Sequence, residues 1–177
     1  MLVSFRWLQE LCPVDADVAE VARRISLAGL EVEAMQEKGQ NLAGIVIAEV
    51  RAKSAHPKHD KLTLVTVFDG QDEHDVVCGA SNVPDPGGRV LFARSGAVLP
   101  NGIEIAPRKV GGVDSNGMIC SEAELAIGSD AGEIFVVDPD DRALPGTCVA
   151  DALDLHDVIL DIGLTPNRPD CLGHVGI

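Results

Sequence analysis

Apolar positions are spaced in two textures along the chain. In the first forty residues they fall at helical and strand periods in turn. Leu2 and Val3 form a short extended start. Ser4 is placed to cap a helix carrying Trp7, Leu8 and Leu11, which Pro13 prevents from continuing. Asp15 or Asp17 opens a second helix with Val18, Val21, Ala22 and Ile25 on one face, and Gly29 stands where a terminating glycine belongs. Leu30, Val32 and Ala34 then alternate with Glu31 and Glu33, the period of a half-buried strand. The expected order is strand, helix, helix, strand.

From Ile45 the apolar runs become short: 45–50, 62–68, 75–78, 90–93, 103–106 and 134–137, separated by glycine, proline and aspartate. Asp69-Gly70 between two runs is a hairpin signal, whereas Gly111-Gly112 reads as isolated and Gly87-Gly88 as an ordinary turn. Five or six strands in about a hundred residues predict a small β-barrel. Ser121 with Glu124 three residues on is a capping box, predicting one short helix that ends at Gly128. After Pro145 comes a helical stretch near 149–153. Val158, Leu160 and Ile162 follow at strand period, and a helix opens around Asn167, Pro169 and Asp170. That last helix stops after about two turns, so the 177 residues are expected to be part of something longer.

Charge sharpens this picture. The formal net charge is −14, which argues against a general polyanion binder. Yet residues 51–61 and 89–109 hold 8 of the 14 basic residues (Arg51, Lys53, Lys58, Lys61, Arg89, Arg94, Arg108, Lys109) and only 2 of the 28 acids. These stretches carry +6 and the remainder −20, an arrangement suited to selective binding of a polyanion. No apolar run approaches the roughly 18 residues of a membrane span. Residues 1–7 lack a basic segment before an apolar stretch, so no secretory leader is expected. The five cysteines are never closer than 23 positions, which supports neither a zinc ribbon nor a disulfide framework and fits reduced thiols in a cytoplasmic protein.

Catalytic motifs are missing: there is no Gly-x-Ser-x-Gly elbow, phosphate-cradling loop or dinucleotide fingerprint. His56 and His59 flank Pro57, which disfavours the helix that would bring both rings to one metal, so no metal site is expected. Two clusters stand out instead. In residues 56–61, proline sets a turn and two histidines and two lysines are expected to point outward. In residues 115–122, Gly117 is suited to positive φ and Ser121 begins the predicted helix, whose N-terminal amides would attract an anion.

The motifs His56-Pro-x-x-Asp-Lys-Leu62, Val77-Cys-Gly-Ala-x-Asn82, Gly96-Ala-Val-Leu-Pro100 and Ser115-x-Gly-Met-x-Cys-Ser-Glu122 resemble the OB-type tRNA-binding barrel, found free-standing and appended to aminoacyl-tRNA synthetases. Val3-Ser-Phe-Arg-Trp-Leu8, Leu27-Ala-Gly-Leu-Glu-Val-Glu33 and Asp161-Ile-Gly-Leu-Thr-Pro-Asn-Arg-Pro-Asp-Cys-Leu172 extend the likeness to the amino-terminal region of the bacterial phenylalanine–tRNA ligase β-subunit family. The motifs follow that family's order over nearly the whole chain, with His59 where the family usually has a small residue.

The resemblance implies an α+β fold: an OB-type barrel at 41–151 inserted into a small split α/β domain of 1–40 and 152–177. It also implies a role in ATP-dependent charging of tRNA with phenylalanine. The aminoacylation site would lie in the α subunit and the editing site further along the β chain, so no catalytic residue is expected here. ATP and Mg²⁺ would serve the complete enzyme only. The partners implied are tRNA, the α subunit in an α2β2 assembly and the rest of the β chain, with no membrane. Phosphate contacts are expected from Arg51, Lys53, Lys58, Lys61, Arg108 and Lys109, with Asn82, Ser115, Asn116 and Ser121 bonding backbone or base edges. His56, Gly117 and Met118 complete the candidate set. Phe68, Phe92 and Phe135 are the only barrel aromatics, some of them expected to face inward, which points to backbone reading with weak sequence preference. The alternatives are a scaffold with little RNA contact and a free-standing tRNA-binding protein.

Overall fold

A computed structural model describes residues 1–177. In chain order it contains β1 (Leu2–Ser4), α1 (Phe5–Leu11), α2 (Val18–Leu27), β2 (Glu31–Lys38), β3 (Ile45–Ala55), β4 (Thr63–Phe68), β5 (Glu73–Cys78), β6 (Arg89–Ala93), β7 (Arg108–Val110), β8 (Val113–Ser115), β9 (Met118–Ile119), β10 (Val136–Val137), α3 (Val149–Ala152) and β11 (Asp157–Gly163). Two 3₁₀ turns, Pro169–Cys171 and His174–Gly176, follow. The chain divides into two compact units, Met1–Gly39 with Leu155–Ile177, and Gln40–Asp154.

In the first unit, β11 lies between β1 and β2 in an antiparallel sheet. Its alternation points Leu160 and Ile162 inward, both fully buried with Val3, Leu8, Ala22, Leu30 and Cys171. Each such side chain contributes about 1.5–3 kcal/mol by leaving water. Ser4 caps α1 by accepting the Trp7 N–H at 3.1 Å and donates to Asp157 Oδ2 at 2.6 Å, tying the helix start to β11. Asp17 caps α2 through the Glu20 N–H at 2.8 Å, and Gly29, at φ +93°, follows its end. The half-burial expected of β2 is largely absent. As an edge strand it has only Val32 partly covered, and Leu30 just before it carries the burial. The helix expected after Asn167 is two 3₁₀ turns, because Gly173 between them is extended at φ −157°.

The second unit is built around β3. Its first half pairs with β6 and its second half with β4, so one eleven-residue strand serves both walls of the barrel. Arg51 is the extra residue of a bulge between the pairs Val50↔Val67 and Ala52↔Thr66, and a bulge gives a strand the bend this dual pairing needs. The sheet runs β10-β6-β3-β4-β5, with β9 also on β6. β8 then meets β5: the Asn116 N–H donates to the Asp75 carbonyl at 2.9 Å, nearly closing the barrel. Valines 46, 50, 65, 67, 76 and 90 surround the buried Phe92 inside. The α+β class and the OB-type barrel read from the sequence hold.

In this second unit three local expectations do not hold. Residues 103–106 form a single bridge, Val98↔Glu104, rather than a strand. Gly111 and Gly112, at φ +62° and +89°, are the two-residue turn of the β7–β8 hairpin rather than an isolated pair. The segment after Ser121 is a run of turns, although the capping-box bonds form, because Ala126 at φ +55° breaks any helical path. The anion-attracting helix terminus expected there therefore does not exist.

Candidate nucleic-acid interface

The β3–β4 loop closes on itself: the His56 N–H donates to the Leu62 carbonyl and the Leu62 N–H to the His59 carbonyl, both at 3.0 Å. His56 turns inward, contrary to the outward donor expected of it. It is 4% exposed, and its Nδ1 accepts the Lys58 N–H at 3.1 Å, which leaves the ring hydrogen on Nε2, buried and without a partner. Lys58, His59 and Lys61 are exposed.

The hairpin tip rests against this loop. A Cβ on Gly111 would lie 2.7 Å from His59 Cδ2 and 2.8 Å from His56 Nε2, so glycine permits the approach. Two segments fifty residues apart thus touch at Gly111, with Lys58 and Lys61 exposed on one of them and Arg108 and Lys109 exposed on β7 of the other. The side chains of Lys58, Lys61 and Arg108 have no ion-pair or hydrogen-bond partner. Lys109 lies 3.9 Å from Asp114, with both side chains more than 70% exposed, a pairing too solvated to hold it.

The other four basic residues of these segments are engaged in internal bonds, which leaves these four available. Arg51 bonds Glu49 at 2.7 Å and lies over the Phe68 ring. Lys53 pairs with Asp85 at 2.7 Å and donates to the Val83 carbonyl. Arg89 donates to the carbonyls of residues 138, 139, 141 and 143, stapling that loop. Arg94 bonds Asp69 at 2.6 Å. Burial of Asp69 alone would raise its carboxyl. The Asp72 and Gln71 amides, Arg94 and His74 outweigh that and hold it well below the usual carboxylate range.

The polar candidates divide the same way. Asn82 is a clamp, its Nδ2 donating to the Ile134 carbonyl at 2.8 Å and its Oδ1 accepting the Ile134 N–H at 3.1 Å. Buried Ser115 accepts the Val77 N–H and donates to the Gly117 carbonyl. Buried Ser121 bonds Glu124 Oε2 through its N–H at 2.7 Å and its hydroxyl at 2.9 Å. These three hold the barrel rather than presenting donors outward. Asn116 is exposed and Met118 half-buried. Gly117, at φ +120°, lies where any side chain would collide with the Phe92 ring. Phe92 is fully inside, as expected for part of the aromatic set, while Phe68 and Phe135 are half-buried.

Two depressions of about 310 and 320 Å³ adjoin the hairpin and share Arg108, Met118 and Glu124. Glu124 was no part of the candidate set; its side chain read only as a cap. Burial, with the Glu124 charge beside it, pushes the Cys120 thiol up to about 12, so this cysteine is no nucleophile.

Residues 45–148 match the family described as "Putative tRNA binding domain". Over the whole chain, the phenylalanine–tRNA ligase β subunit of Syntrophus aciditrophicus (strain SB) is 44% identical and that of Anaeromyxobacter dehalogenans (strain 2CP-C) 43% identical. The match falls in their amino-terminal region, and the chain spans 22% of their length. Among solved structures, a MetRS related protein from Pyrococcus horikoshii aligns at TM-score 0.43 and 17% identity, covering 76% of this chain and 96% of that one. The family match alone takes in well over half of the sequence, and the chain belongs to the tRNA-binding domain family.

Proposed function

We propose that this chain is the front of a phenylalanine–tRNA ligase β subunit, whose barrel adds electrostatic contact to tRNA during ATP-dependent charging with phenylalanine. In this reading the split α/β unit formed by the two ends of the chain belongs to the subunit architecture. The α subunit, in an α2β2 enzyme, and the rest of the β chain supply the active sites, with their ATP and Mg²⁺, in the cytoplasm. The observation that supports the RNA contact is the packing of Gly111 on the His56–His59 loop, which joins the segment carrying Lys58 and Lys61 to the one carrying Arg108 and Lys109; the first three of these side chains are unpaired. In OB-folds the second and third strands, with the loop before them and the loop before the last strand, form the nucleic-acid face; Lys58 and Lys61 lie in the β3–β4 loop, and Arg108 and Lys109 on the β7–β8 hairpin that rests on it.

Four phosphate contacts release about three to four counterions, so log affinity for tRNA is expected to fall with log salt at a slope near −3 to −4. Reversing the four charges to glutamate flattens that slope. An affinity indifferent to salt in the unaltered protein overturns the mechanism.

One observation favours a second reading, the scaffold. Arg51, Lys53, Arg89 and Arg94 all serve internal bonds. If the four reversals leave tRNA charging by the complete enzyme unchanged while removal of the barrel disturbs subunit assembly, the scaffold is the function.

A further inference from the structure

Glu124 is half-buried between the two depressions beside the hairpin, and its two carboxylate oxygens are unlike. Oε2 accepts both the N–H and the hydroxyl of Ser121. Oε1 receives no hydrogen bond from the protein. Arg108 lines both depressions with it, yet the two do not form an ion pair, and neither has another charged partner. Met118 lies along the same walls, half-buried, with a polarizable thioether suited to a flat ring. The volumes, about 310 and 320 Å³, are at the small end of ligand sites.

A free anionic acceptor and a free guanidinium donor, set beside an apolar flank, match one chemistry on an RNA. The edge of an unstacked base alternates amino donors with ring nitrogen and carbonyl acceptors. We propose that Arg108, Met118 and Glu124 form a slot for an unstacked nucleobase bearing an exocyclic amino group, which donates to Glu124 Oε1 while Arg108 donates to an adjacent base acceptor. Cytosine, adenine and guanine satisfy this. Uracil can offer only its ring N–H, flanked by two carbonyls: one can accept from Arg108, but the other sets its lone pairs against the carboxylate, so it fits less well. The slot rests on the tRNA-binding reading and adds base selectivity to a surface expected from its charges to read backbone alone.

The sign of one substitution separates the two. In Glu124→Gln, the Ser121 N–H holds the amide oxygen toward itself, so the amide nitrogen replaces the free acceptor. A surface that reads phosphate alone loses a repulsive charge and binds RNA more tightly. A base slot binds more weakly.

The experiment is competition of oligo(C) and oligo(U) against labelled tRNA on the whole protein, with a salt titration of each variant. The unaltered protein is expected to prefer oligo(C). Glu124→Gln is expected to weaken oligo(C) about 5- to 100-fold, to spare oligo(U), and to leave the salt slope unchanged. Equal competition by the two oligomers on the unaltered protein overturns the slot without need of any variant, as does a Glu124→Gln protein that melts normally and binds oligo(C) as well or better. Both results leave the tRNA reading standing if tRNA binding still falls with salt; absence of salt-dependent tRNA binding removes both.

Discussion

The Asp69 carboxylate is fully engaged, with two backbone amides on one oxygen and Arg94 and His74 on the other. Its folded-state carboxyl titrates below the ordinary value, so its stabilisation is complete above about pH 4 and is lost as pH falls further. Asp69→Asn is expected to cost about 2–3 kcal/mol at pH 7, read from urea unfolding, and to remove part of the barrel's loss of stability between pH 4 and pH 2. A variant with unchanged acid sensitivity would place that sensitivity elsewhere. Gly117→Ala meets both a forbidden φ and the Phe92 ring and is expected to cost about 2–4 kcal/mol by the same measurement. At this scale the sequence was readable where chemistry is local: Gly117 for its conformation, Ser4 and Asp17 for their caps. It was not readable where a partner is remote. Nothing near Asn82 announces Ile134, and nothing near Lys53 announces Asp85.

Among elements, the first half of β3, the β4–β5 hairpin at Asp69-Gly70 and the buried alternation of β11 were legible, because period and turn residues carry them; the exposed second half of β3 has no apolar period. The β7–β8 hairpin was not legible, since three-residue strands with charged faces have no period to detect, and Gly111-Gly112 had meaning only once Val110 and Val113 were paired. The same hairpin touches the His56–His59 loop. Gly111 and Gly112 both have positive φ, but only Gly111 touches the His56–His59 loop, while Gly112 faces open space. Alanine at either position carries about 1–2 kcal/mol of backbone strain. Gly111→Ala is expected to part hairpin from loop as well, lowering tRNA affinity several-fold, whereas Gly112→Ala leaves affinity within two-fold of the parent. Anisotropy titrations on the two proteins, matched by melting temperature, test this. Equal affinities would mean that the contact does not assemble the interface.

For the molecule as a whole, four available cations belong to a chain of net charge −14, and the two act at different ranges. Counterion release at the cationic seam is local and strengthens binding continuously as salt is lowered. Repulsion from the acidic remainder reaches tRNA only when screening weakens, as the Debye length grows from about 10 Å at 0.1 M to about 30 Å at 0.01 M. The logarithmic plot of affinity against salt is therefore expected to be linear from about 0.3 M to 0.1 M and to flatten below roughly 0.05 M, where a uniformly basic binder would continue upward. Asp60, on the loop itself, and Asp114, opposite Lys109, are acids on the cationic segments themselves, so neutralising both should extend the linear range downward without changing its slope. A plot that stays straight to 0.01 M in the parent protein would mean that the acidic body lies too far from the bound RNA to be felt. Selectivity would then have to come from contacts at the barrel surface alone.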